Sequence, residues 1–259
     1  MICPPLTITF LGTGTSGGVP MIACDCEVCQ STDAYNKRLR SSILVQSSTT
    51  NLVIDTGPDF RTQMLREKVK RVDAVLFTHP HKDHVAGLDD IKAFNYFNDT
   101  SINVYANALT QKALKNEFYY VFAEHKYPGV PDITLHDIDE QTIIVGDIPI
   151  TPIKVWHLHM PVLGFRMGEF TYITDANRIE PNEMQKIAGS KILVLNALRH
   201  QKHLSHFTLQ EAIEVAQTLQ IPQTYFTHIS HQLGLHTEVS NTLPVSCKLA
   251  YDGLQLVAN

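Results

Sequence analysis

The sequence predicts a layered α/β protein, and three observations carry that expectation. Short β-branched runs alternate with glycine-rich turns and stretches of helical period along the whole chain. Asp55, His79, His157, Asp175 and His228 each stand at or just beyond the end of an apolar run, and layered α/β proteins gather their sites where strands end and loops converge. With 259 residues, 44% of them hydrophobic, the chain can bury a full core. One domain spanning 1–259 is expected, because no repeat, low-complexity tract or linker divides it.

In chain order, strands are expected at 6–11, 42–46, 52–55, 73–78, 102–105, 142–145, 150–156, 171–174, 192–195 and 224–227, where β-branched and aromatic residues cluster between turn residues. Helical period marks 59–67, 87–94, 111–119, 181–188 and 209–219. The last of these opens on Thr208 with Glu211 three residues later, the pattern of a capping box. The glycine-rich stretch after the first strand lacks the Lys-Ser/Thr of a phosphate-cradling loop and reads as a tight turn.

Bulk properties exclude several classes. A formal charge of −5 leaves no basic face for general nucleic-acid affinity, so a nucleic-acid partner is not expected. No apolar run approaches the roughly 18 residues needed to span a bilayer. The start, Met-Ile-Cys-Pro-Pro, has no basic region before an apolar stretch, so the expected location is cytoplasmic. Homodimerisation is left open. Five cysteines, three of them crowded at 24, 26 and 29, favour a metal site or free thiols over a disulfide framework.

The chemistry concentrates in His79-Pro-His81-Lys82-Asp83-His84, directly after the run Val75-Leu76-Phe77. Imidazoles and a carboxylate at this spacing suit zinc, manganese or iron, and a compact turn can present them to two neighbouring ions. This HxHxDH motif resembles the signature of the metallo-β-lactamase superfamily, and the resemblance covers nearly the whole chain. It implies a four-layer αββα sandwich. It also implies two divalent ions, zinc or manganese: one held by His79, His81 and His157, the other by Asp83, His84 and His228, with Asp175 bridging. Asp55, in Ile-Asp-Thr-Gly, matches an aspartate that supports the site without binding metal. His159 competes with His157, since strand alternation points both the same way. The residue next to the apolar run, seven before Gly164-Phe165, is preferred, and His159 is left as a pocket residue.

Cys24, Cys26 and Cys29 supply three soft ligands where a structural zinc needs four, and His231 is the candidate fourth. This set, with Leu11-Gly-Thr-Gly-Thr-Ser-Gly, Thr227-His-Ile-Ser-His-Gln232 and the closing Tyr251-Asp-Gly-Leu, is similar to the PhnP branch, named for a phosphodiesterase that opens a ribosyl cyclic phosphate. The resemblance implies a structural zinc on Cys24, Cys26, Cys29 and His231. The implied activity is hydrolysis of a small cyclic or nucleotide-like phosphodiester through a metal-bridging hydroxide. Two ions about 3.5–4 Å apart supply it and offset the charge that attack adds. His206, just before the capped helix, is the candidate general acid. Arg199, Lys82 and Arg166 are candidate cations for the substrate. The loop 196–206 departs from the phosphonate enzyme, so the substrate stays open. A tRNA-processing endonuclease and a thioester or lactam hydrolase are alternatives, as is a zinc-binding module without activity.

Overall fold

The computed structural model describes residues 3–258. A first sheet contains β1 (Leu6–Gly12), β2 (Ser42–Gln46), β3 (Asn51–Ile54), β4 (Ala74–Leu76), β5 (Ile102–Ala106) and β6 (Ile133–Asp137) in that order. The second sheet holds β7 (Ile143–Val145), β8 (Ile148–His157), β9 (Met160–Met167), β10 (Phe170–Ile173), β11 (Arg178–Ile179), β12 (Ile192–Asn196), β13 (Gln223–Thr227) and β14 (Cys247–Leu249). The chain then returns to the first sheet, where β15 (Gln255–Ala258) pairs with β1. Both sheets turn from antiparallel to parallel along their width. β1 to β3 run antiparallel and β3 to β6 parallel, while β8 to β10 run antiparallel and β10, β12, β13 and β14 parallel.

The period of two explains the layers. In β2, Ile43 and Val45 face the cluster between the sheets and Leu44 faces outward; β3 repeats this with Leu52 and Ile54 against Val53. In β12, Ile192 and Val194 point inward while Leu193 and Leu195 point to the opposite outer layer. Strands apolar on both faces need cover on both. The first sheet's outer face is covered by α2 (Phe60–Arg66), α4 (Lys92–Asn98) and α5 (Ala108–Glu117). The second is covered by α6 (Pro181–Ile187), α7 (Leu209–Thr218) and α8 (His236–Ser240). Two one-turn helices, α1 (Glu27–Gln30) and α3 (Lys82–Val85), lie in loops. The αββα sandwich is therefore the architecture. The Thr208–Glu211 capping box forms, with both reciprocal bonds present. No helix among the described residues is long and apolar enough to cross a membrane.

Several elements differ from the sequence reading. The helix expected over 87–94 is a 3-10 turn at Leu88–Ile91 followed by α4. A Cβ at Gly87 would lie 2.2 Å from the Gly57 carbonyl, so that point is pinned against the neighbouring loop. The long strand β9 escaped the pattern because Pro161 and Gly164 interrupt it. Gly164 is required there: a Cβ would stand 2.7 Å from the Ile173 side chain of β10. The strands β6, β14 and β15 are short or mix polar with apolar residues, and they form because partner edges complete them.

Candidate metal centre

The parallel strands of both sheets end at one place. Asp55 directly follows β3, His228 directly follows β13, and Asp175 lies two residues beyond β10. All three adopt the left-handed conformation, with φ of 65°, 55° and 54°. That region is uncommon outside glycine although aspartate and histidine tolerate it best. The sharp turn it imposes swings each side chain across the strand end toward the gap between the sheets, local strain of the kind kept at functional sites.

The HxHxDH segment enters from β4. Asp55 is fully buried and holds it: its two oxygens accept from the Thr78 amide and hydroxyl, both at 2.8 Å, and from His84 Nδ1 at 2.7 Å. The Thr78 hydroxyl also contacts His79 Nδ1 at 2.9 Å. Both rings are thereby oriented with Nε2 toward the gap, the second-sphere arrangement that fixes the tautomer of a metal-binding histidine. His81 caps α3, whose single turn presents Asp83 and His84. His79 Nε2 lies 3.1 Å from His81 Nδ1. A Cβ on Gly57 would fall 2.1 Å from the Asp83 carbonyl, so only glycine lets this loop pass so close.

Asp175 stands in the middle. Its Oδ2 lies 3.2 Å from His84 Nε2 and 3.1 Å from His228 Nδ1, and Oδ1 lies 3.8 Å from His206 Nδ1. Ligand atoms of Asp83, His84, Asp175 and His228 lie within 4.8 Å of one another, as do those of His157, Asp175 and His206. The His81 ring centroid is 5.1 Å from that of His157. Two donor sets thus fan out on either side of one carboxylate.

The chemistry of these donors fits a cation. Four buried ring nitrogens, His84 Nε2, His157 Nδ1, His206 Nδ1 and His228 Nδ1, have no hydrogen-bond partner, which buried polar atoms rarely tolerate. Burial opposes charge on His84, yet Asp175, Asp55 and Asp83 raise its pKa well above the ordinary imidazole value. Burial also opposes charge on Asp83, which His84 nonetheless holds below the usual carboxylate range. The imidazole and carboxylate donors of the niche are those zinc and manganese accept.

Other sequence candidates fall in different places. His157 joins the cluster, whereas His159 is exposed in the turn between β8 and β9. Lys82 is exposed and paired with Glu117. Arg166 donates to the carbonyls of Gly168, Lys186 and Ala188, away from the centre. Arg199 Nε and Nη2 donate to the carbonyls of Gln201 and Lys202 at 3.2 and 3.3 Å, and Nη1 to Gln232 Oε1 at 2.6 Å, so its fork is occupied by its own loop and by the neighbouring 231–233 turn. His206 is buried, with its ring stacked 4.8 Å from His228. Sequence reasoning missed Thr15, whose hydroxyl contacts His228 Nε2 at 3.2 Å. It also missed Asn177, which accepts from the Leu158 amide and donates to the Leu204 carbonyl, both at 2.9 Å. Position just after a glycine turn and two residues after Asp175 was the signal available for them.

The cysteines form a second cluster. Cys24 and Cys26 precede α1 and Cys29 lies on it; their ligand atoms and that of His231 lie within 4.8 Å of one another. His231 Nδ1 is 3.3 Å from Cys24 Sγ and 3.2 Å from Cys26 Sγ. The His231 contact pulls the Cys26 thiol down to about 6, toward the thiolate that binds metal. Three sulfurs and one nitrogen make the closed set of a structural zinc site. Cys26→Ser is expected to lose the equivalent of zinc held here and to lower the melting temperature, by roughly 2–4 °C per kcal/mol of binding energy lost. Elemental analysis with a thermal melt checks this; unchanged zinc and melting temperature would leave only free thiols.

Comparison with known proteins places this geometry. The family description "Beta-lactamase superfamily domain" matches residues 50–229. The crystal structure of a new diphosphatase from the PhnP family superposes with a TM-score of 0.91 at 40% identity, covering 97% of both chains. Zn(2+)-bound PqqB from Methylobacterium extorquens has the same fold, with a TM-score of 0.80 at 20% identity over 96% of this chain and 99% of that one. An octanoyltransferase of Porphyromonas gingivalis is 36% identical over 251 residues, 96% of this chain but 51% of that protein. The chain therefore spans about half the length of that curated relative. The match over residues 50–229, together with the diphosphatase aligned from end to end, shows that the chain is a hydrolase-fold protein of the β-lactamase superfamily and belongs to its PhnP family.

Proposed function

We propose that the protein is a dinuclear metal-dependent hydrolase. Its substrate would be a small molecule whose reacting phosphorus carries two bridging oxygens, a phosphodiester or a substituted diphosphate. The observation that carries this reading is Asp175, one carboxylate shared by two donor sets, Asp83, His84 and His228 on one side and His157 and His206 on the other. The PhnP-family diphosphatase supports the phosphorus chemistry. His79, His81 and His157 would hold one ion and Asp83, His84 and His228 the other; when bound, the pair lowers the pKa of water and offsets charge on a phosphoryl oxygen. A third ion, zinc, would occupy the cysteine cluster.

The chain's own residues do the rest. Asp55 and Thr78 fix His79 and His84, so these donors need no reorganisation when substrate arrives. His206 faces the same gap with a free Nδ1. Burial pushes its pKa down to about 3, so the ring is neutral before substrate binds. An anionic phosphoryl group beside it favours the protonated ring, which then gives its proton to the leaving oxygen.

The test is a turnover screen of metal-loaded protein with metals counted beforehand. The panel is bis(p-nitrophenyl) phosphate, cyclic nucleotides, a dinucleoside diphosphate, a thioester and a β-lactam. Expected are three metal ions per chain and turnover confined to the phosphorus substrates. One ion or none at full occupancy, or turnover of the thioester alone, would overturn the reading.

A further inference from the structure

The loop from Leu198 to Phe207 carries His203 and His206 over the metal centre, yet little packing shapes it. His200, Gln201, Lys202 and Leu204 are exposed. Its base is tied by backbone bonds: Leu198 to Phe207 at 3.0 Å, Phe207 to Ala176 at 2.8 Å, and Ser230 to Leu198 at 3.0 Å. Beyond that base, Asn177 and Arg199 bond to the loop backbone, and within the loop His203 Nδ1 accepts from the Ser205 amide at 3.3 Å. Asn177 reaches the Leu204 carbonyl, and Arg199 gathers the carbonyls of Gln201 and Lys202. A segment with so few apolar contacts keeps one shape only where such bonds impose it.

The third arm of Arg199 leads elsewhere. Nη1 donates at 2.6 Å to Gln232 Oε1, and Gln232 is the neighbour of His231, whose Nδ1 lies against the sulfurs of Cys24 and Cys26. The turn that carries both residues is a 3-10 turn, capped where Ser230 Oγ accepts from the Gln232 amide at 3.2 Å. The cysteine cluster, some 170 residues away from the loop in sequence, therefore fixes the residue that Arg199 grips.

We infer that the cysteine cluster positions the loop over the metal centre through the Gln232–Arg199 contact, making Gln232 and Arg199 positioning residues for His206. The inference rests on His206 as the proton donor to the leaving oxygen. It assigns the Arg199 charge to shaping the loop rather than to holding substrate. Lysine cannot replace arginine there, because one ammonium does not reach three acceptors that lie in different directions around a planar fork.

The experiment compares metal-loaded wild type, His206→Ala, Gln232→Ala and Arg199→Lys. Three readouts are taken: metal content, hydrogen exchange of the amides of residues 200–206, and kcat and KM on a cyclic nucleotide and on bis(p-nitrophenyl) phosphate. Gln232 is exposed, so its alanine variant is expected to fold. Gln232→Ala and Arg199→Lys should keep all metals and exchange the loop amides about tenfold faster. Their kcat on the cyclic nucleotide should drop roughly tenfold at similar KM, with the p-nitrophenyl rate within about twofold, since misplacing a donor costs most where the leaving group needs it. Unchanged exchange overturns the inference, and so does a raised KM with intact kcat, which would make Arg199 a substrate cation. If His206→Ala shows no dependence on the leaving group, the proton-donor reading fails; the exchange data then decide alone whether the contact shapes the loop.

Discussion

Asp175→Asn is expected to abolish turnover, by roughly 10⁴-fold or more, while leaving the fold intact. The size follows from what a shared carboxylate does. In the proposed dinuclear site its loss would remove a charged donor from both ion sets at once, and with them the lowering of the water pKa from near 16 toward 7 on which hydrolysis at neutral pH depends. The asparagine variant separates this from stability. Asp175 sits at φ 54°, a conformation asparagine tolerates, whereas alanine there adds roughly 1–2 kcal/mol of backbone cost. Asp175→Ala should therefore be equally inactive but melt lower. Both variants should keep zinc in the cysteine cluster, which shares no residue with Asp175. Elemental analysis, a thermal melt and a turnover assay check all three statements, and an Asp175→Asn protein with full metal content and more than a tenth of the activity would sink the bridging role.

The contrast between Asp175 and Asn177 shows what the sequence made legible. Residues set at a fixed spacing by chemistry could be read as groups that meet in space: the HxHxDH segment, the crowded cysteines, and the aspartates and histidine that end apolar strands. Strands such as β2 and β12 were equally readable, because a short unbroken apolar run rich in β-branched residues reads as a strand covered on both faces. By contrast, β9 hides behind Pro161 and Gly164, and its place depends on the close approach of β10 rather than on its own pattern. Asn177 carries no motif, and Gln232 closes the 227–232 stretch without any sign of its partner. Each acts through one or two hydrogen bonds to a segment distant in sequence, and a lone polar residue gives no sign of which backbone it will meet. Arg199 shows the same limit: a cation on this loop suggests substrate, and its three acceptors in the structure are protein atoms that the sequence does not indicate.

His206→Ala should divide substrates by their leaving group. The ring is buried between His157 and His228, with centroids at 4.6 and 4.8 Å, and Nδ1 faces Asp175 Oδ1 at 3.8 Å without a hydrogen-bond partner. A group so placed can serve as a ligand or as a proton donor, and the two roles have different signatures. General acid catalysis is worth about 10²–10⁴ in rate and matters most for a poor leaving alcohol. As a donor, His206→Ala slows a cyclic nucleotide by about that factor, because the departing alkoxide must be protonated. It slows bis(p-nitrophenyl) phosphate much less, since p-nitrophenolate leaves unaided, and metal content is unchanged. As a ligand, its loss depresses both substrates alike and lowers the metal count. In the proposed dinuclear site the seven other donors would serve two ions with Asp175 shared, so the donor signature is expected, although His206 also lies within ligand distance of His157 and Asp175. Equal loss on both substrates with a missing ion would move His206 into the coordination sphere, and no loss on either would reduce it to a packed ring beside the site.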